Sequence, residues 1–156
     1  MTIIQDQIRG NHCFGCSPDN PHGHHIKSAW DGERAICHFA PEPWHCAGSP
    51  HYVYGGLIAS VIDCHCICTA MAEAYQREGR AIGEGENILY VTGQLNVSYL
   101  RAAPIAGPLV LEARVTEAGE RKSRVTCSLA VNGEECARAE LVAVRVPASW
   151  GEAEAG

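Results

Sequence analysis

The sequence predicts an α+β domain in which a curved antiparallel sheet wraps one long buried helix. Three observations carry this. Residues 54–78 form one continuous stretch, opened by Gly55-Gly56 and ended by Gly79, whose first half is apolar around nearly its whole circumference. From residue 88 onward the pattern changes to the period-two alternation of strands. Turn signals at Ala118-Gly119-Glu120 and Asn132-Gly133 then cut that region into hairpins.

In chain order, residues 1–25 read as a loop-rich leader, because NHCFGCSPDNPHGHH carries Gly, Pro, Asn and Asp too densely for regular structure. Residues 26–40 hold a strand pair or one bent strand, broken at Asp31-Gly32. Residues 41–50 are a loop with three prolines and a glycine. The helix follows, turning polar over 73–80 where it reaches solvent. Strand 88–100 places Leu89, Val91, Leu95, Val97 and Tyr99 on one side and Thr92, Gln94, Asn96 and Ser98 on the other. Strands over 109–117, 123–131 and 136–146 complete the sheet, the last stopping at Pro147. One domain over 26–147 is expected, with a mobile tail at 148–156.

Composition excludes several classes. A net charge of −6 without a long basic run argues against nucleic acid or an anionic membrane surface as partner. The apolar run 55–72 is interrupted by Ser60, Asp63, His65 and Thr69, which marks a buried helix rather than a membrane span. The first residues lack the basic-then-apolar pattern of a secretory signal. Nine cysteines, three of them (Cys64, Cys66, Cys68) inside the helix, suit the reduced cytoplasm better than a disulfide-stapled domain. A helix apolar nearly all round is not satisfied by one sheet face, so a second copy is expected to cover the remainder, as a homodimer or a homotetramer.

Asp63 is the candidate chemical residue: a lone acid two turns inside an apolar helix is expensive to bury unless it has a partner or a task. His65 is excluded as that partner, since two residues correspond to about 200° of helix rotation. It reads instead as a packed histidine bonded to a nearby backbone carbonyl or to Thr69. Gly55 and Gly56 lie where the first helical N–H groups lack acceptors, and without side chains a ligand oxygen can approach them closely. That arrangement suits an oxyanion hole; tight packing against a strand would use the same glycines. Gly55 and Asp63 are separated by roughly 12 Å of helix rise, too far to serve one carbonyl from one chain. If both act, Gly55 of one copy meets Asp63 of another across a two-fold interface.

The helix YGGLIASVID, the strand TGQLNVSYLRAAPIAGPL and the closing ARAELVAV resemble the hotdog-fold acyl-CoA thioesterases, most nearly the phenylacetyl-CoA thioesterase type. The resemblance runs over about residues 26–146. It implies Asp63 as general base or nucleophile, the Gly55 N–H polarising the thioester carbonyl, and Thr92 assisting the hydrolytic water. Gly56, His51, Asn96 and Arg101 are the accompanying candidates for substrate contact. Two positions depart from the pattern. Tyr54 stands where the motif has histidine, and its phenol donates a hydrogen bond but does not titrate near neutrality. Gly48 stands where a loop Asn or Gln is often found, with His45 or His51 as candidate replacements. Related hydratases place a histidine five residues after the acid; Cys68 occupies that position and disfavours hydration chemistry.

His12, Cys13 and Cys16, followed by His22, His24 and His25, invite a zinc reading. With a single C-x2-C and irregular histidines, the leader is read as a plain loop and no metal is assigned. The cysteines of the helix read as small apolar packing. Arg101, Arg121, Lys122 and Arg124 are candidate contacts for CoA phosphates. The sequence thus points to an acyl-CoA thioesterase needing no cofactor, the alternative being a non-catalytic module that binds acyl-CoA or a small ligand.

Overall fold

A computed structural model describes residues 1–152. The elements are β1 (Thr2–Ile3), β2 (Ser28–Trp30), β3 (Ala35–Phe39), α1 (Gly55–Arg77), β4 (Leu89–Tyr99), β5 (Leu109–Ala118), β6 (Lys122–Val131) and β7 (Glu134–Val146). All strands join one antiparallel sheet in the order β1-β2-β3-β5-β6-β7-β4, curved around α1. This is the architecture expected from the sequence. The 26–40 segment resolves into a hairpin, β2 with β3, whose turn has Gly32 at φ +101° and the Asp31 carboxylate accepting from the Glu33 and Arg34 N–H groups. Asn132 and Gly133 both take positive φ, the geometry of a two-residue hairpin loop matching strand twist. Gly79, at φ +70°, stops α1, and Arg80 N–H reaches back to the Tyr75 carbonyl at 2.9 Å.

The core lies between α1 and the concave sheet face. Ile62 from α1 and Leu111, Leu129 and Leu141 from β5, β6 and β7 are fully buried, each contributing about 2 kcal/mol by area. Although α1 has the length and hydropathy of a membrane span, most of it is buried inside the domain. His65 is among those buried residues. One ring nitrogen contacts the Ala35 carbonyl at 3.1 Å and the other the Ser28 hydroxyl at 2.8 Å. Burial pulls its pKa down to about 4, so the ring is a neutral packing group, with its own backbone carbonyl bonded by Thr69.

The leader is more ordered than its composition suggests. β1 pairs with β2, Ile4 is fully buried, and Gln5 holds Ser28 through both amide atoms. Gln5, Ser28 and His65 thus form a buried polar chain from leader through sheet to helix. Local composition misses this because a few apolar residues, Ile4 and Ile8, are enough to dock an otherwise irregular segment. At the other end, Ala148–Gly151 form a short 3-10 turn; residues 153–156 of the expected tail lie outside the described residues.

Candidate active site

Asp63 projects from the third turn of α1 on a stripe with Gly56, Ser60 and Ile67 that the rest of the chain leaves exposed or half-buried. Its carboxylate accepts a hydrogen bond from the Thr92 hydroxyl of β4. Strict alternation would put Thr92 on the opposite face of β4 from Leu95, Val97 and Tyr99, and the structure corrects this. Thr92 stands opposite Ala143 and Gln94 opposite Val142, so Gly93 is an inserted bulge residue. Leu95 stands opposite Leu141, which shares the core face with Ala143. The bulge therefore turns Thr92 to the helix-facing side together with Leu95, Val97 and Tyr99. Glycine is required there by space: a Cβ at 93 would lie 2.8 Å from Val144 Cγ2 and 3.3 Å from the Val142 carbonyl oxygen.

The start of α1 forms the second part. Tyr54 occupies the N-cap position without a side-chain cap, and no acid sits in the first turn to offset the helix dipole. Leu57 and Ile58 N–H both reach the Tyr54 carbonyl, at 3.1 and 3.2 Å. The N–H groups of Gly55 and Gly56 have no acceptor among the described residues. The Tyr54 ring lies over Gly56, where an added Cβ would sit 2.4 Å from it. The Tyr99 hydroxyl donates to the Gly55 carbonyl at 2.6 Å. Partial burial, and then the neighbouring Tyr54 phenol, hold the Tyr99 hydroxyl above its ordinary pKa. Tyr52, Tyr54, Tyr99 and Leu100 together leave a large apolar surface exposed around this helix end. Tyr99 and Gly93 were not singled out by sequence; only the strand register reveals what they do.

The remaining candidates are placed as follows. His51 is exposed in the loop before α1, its carbonyl bonded by Ile105 N–H at 2.9 Å. His45 is committed to its own loop: its ring nitrogen accepts from Glu42 N–H at 2.9 Å and its ring packs near Phe39 and Trp44. A side chain at Gly48 would point into open space. Asn96 stands opposite Glu140 on the outer face of β4, away from Thr92 within one chain. Arg101 pairs with Glu134 at 2.6 Å beside the β6–β7 turn. The structure thus brings Asp63 and Thr92 together, and separately Tyr54, Gly55, Gly56 and Tyr99. A surface depression of about 380 Å³, lined by Glu120, Arg121, Arg145, Val146 and Pro147, shares no residue with either group.

The thioesterase superfamily model matches residues 51–136, which contain α1 and most of the sheet. Among solved structures, a thioesterase superfamily protein from Shewanella loihica is 41% identical, covering 82% of this chain and 96% of that one, with a TM-score of 0.65. The PaaI protein of the Escherichia coli phenylacetic acid degradation operon is 13% identical, covering 80% and 81%, at 0.65. Mouse thioesterase superfamily member 2 is 18% identical, covering 78% and 82%, at 0.61. The latter two speak to the fold alone. No curated protein matches the chain. The matched helix and sheet, and the 41% identity over nearly the whole Shewanella chain, place this protein in the thioesterase superfamily, with its hotdog fold.

Proposed function

We propose that this protein hydrolyses acyl-CoA thioesters to a free acid and CoA, at a site completed by a second copy of the chain. The contact that carries the proposal is the Thr92 hydroxyl on the Asp63 carboxylate, since it gives the helix acid a fixed orientation beside an open stripe of α1. In this reading the carboxylate takes a proton from water as the oxygen attacks the thioester carbonyl. The Gly55 N–H of the second copy stabilises the oxyanion, and collapse expels the CoA thiolate, which recovers the proton. Direct attack by Asp63 to form a mixed anhydride, then opened by water, uses the same groups. Tyr54 donates to and orients the thioester, and Gly56 leaves room for the Tyr54 ring that lies over it. His51, Asn96 and Arg101 are assigned to the bound substrate.

The dimer is supported by the open stripe on α1 and by the long edge strand β4, which among the described residues pairs with β7 alone and leaves its other row of backbone groups free. Nine free thiols support placing it in the reducing cytoplasm. Hydrolysis of an acyl-CoA panel by wild type and Asp63→Ala tests the mechanism. Loss of turnover in a folded variant is expected, and unchanged hydrolysis would sink it. A binding module without turnover is favoured by Tyr54 in the histidine position and by Gly48 in place of the loop amide; saturable binding with no product across the panel would establish it instead.

A further inference from the structure

The motif His12-Cys13-Phe14-Gly15-Cys16 takes no part in thioester chemistry, yet the fold completes it. Cys64 and Cys68 lie one turn apart on α1 and present a second pair of thiols to the leader. The sulfurs of Cys13, Cys16 and Cys64 all lie within 4.8 Å of one another, and those of Cys13 and Cys64 are 3.6 Å apart. Cys68, one turn beyond Cys64 on the same side of α1, is buried beside Cys16. Four thiolates around a tetrahedral zinc, each at about 2.3 Å, stand about 3.8 Å apart along the tetrahedron edge. The sulfurs of Cys13, Cys16 and Cys64 already lie near that spacing.

The surrounding backbone is shaped to hold it. The Asn11 amide donates to the Cys16 sulfur at 3.8 Å. Such donors orient and stabilise thiolate ligands. A Cβ at Gly15 would lie 2.3 Å from the Cys64 sulfur, so only glycine lets the loop close over the helix. Asn11 also accepts from the Cys13 N–H at 3.0 Å, and the Gly15 carbonyl accepts from Ile26 N–H at 3.2 Å. Gly23, at φ +93°, passes so close to the Phe14 carbonyl that no side chain fits. Two of the four leader histidines are engaged elsewhere: His24 meets Phe14 edge-on, and the His25 ring contacts the Asn20 carbonyl. Cys16 and Cys68 are buried, and Cys13 and Cys64 half-buried.

We propose that Cys13, Cys16, Cys64 and Cys68 bind one thiophilic divalent cation, zinc, per chain. With four protein ligands the site has no open position, so its role is structural: it staples the leader to the middle of α1, at the residue following Asp63. Each ligating thiol releases its proton to solvent as the metal enters.

The test is metal analysis of full-length protein purified under reductant without chelator, followed by cobalt substitution. About one zinc per chain is expected, with the intense visible bands of tetrahedral cobalt thiolate in the substituted protein. Cys13→Ser, at a half-buried position, and Cys64→Ser are each expected to lose both signals, with circular dichroism confirming the fold. Cys46→Ser, outside the cluster, keeps them. Chelation is expected to lower the Tm of wild type and Cys46→Ser but not of Cys13→Ser. Reduced wild type lacking both zinc and cobalt bands would overturn the proposal. So would metal retained by Cys13→Ser and Cys64→Ser, or a Cys13–Cys64 disulfide found by peptide mass in place of metal.

Discussion

Replacing Thr92 with valine removes one hydroxyl while keeping the β-branched shape of an exposed residue on β4. What is lost is the hydrogen bond to the Asp63 carboxylate. A neutral donor on an ionised acceptor contributes about 1.5–3 kcal/mol. Since Thr92 is exposed and Asp63 only half-buried within one chain, the lower end applies, and about 1.5 kcal/mol corresponds to roughly a tenfold fall in kcat/KM. Thr92→Ser should recover most of it. Asp63→Asn, which keeps the shape but removes the base, should cost about 10²–10⁴-fold. The informative measurement is the double-mutant cycle on the best acyl-CoA substrate. If Thr92 works by orienting Asp63, adding Thr92→Val to Asp63→Asn costs almost nothing further. Full additivity of the two losses, or an unchanged kcat/KM in Thr92→Val, would refute the assignment.

The bulge carries its own prediction: Gly93→Ala forces a methyl against Val144 and should destabilise the fold by about 1–3 kcal/mol, read as a lower denaturation midpoint, with kcat/KM falling as Thr92 turns away. Wild-type stability and activity in that variant would contradict the reading of the register. His65→Leu takes the ring away from the Ala35 carbonyl and leaves the Ser28 hydroxyl with only its bond from the Gln5 amide, and should cost about 1–3 kcal/mol, while kcat/KM per folded molecule holds. A loss of kcat at unchanged Tm would place His65 in the chemistry after all.

Much of the candidate site's geometry was legible because it obeys helix periodicity. The separation of His65 from Asp63 follows from 3.6 residues per turn, and the buried ring between Ser28 and Ala35 agrees with it. The Gly55-Gly56 start needed only the rule that first-turn N–H groups lack helical acceptors. Thr92 was harder. Alternation assigns it to the outer face, and a single inserted residue reverses the parity of the strand on either side of Gly93. Glycine inside a strand pattern is the one local hint of such a bulge, and it does not say which side chain is re-aimed.

The cysteine cluster shows the same division at longer range. Cys13-x2-Cys16 and Cys64-x3-Cys68 are each visible as a thiol pair, but 47 positions separate Cys16 from Cys64 and the intervening histidines offer a nearer partner in the sequence. By itself the sequence determined the long buried helix, the hairpins and the acid two turns inside that helix. Those features depend on periodicity and turn chemistry, which act between near neighbours along the chain. Tertiary structure decided that Thr92 meets Asp63, that Tyr99 closes on Gly55, and that the leader's thiols meet those of α1. Each of these contacts depends on strand register or on how a loop docks, and both are set by which distant surfaces bury each other.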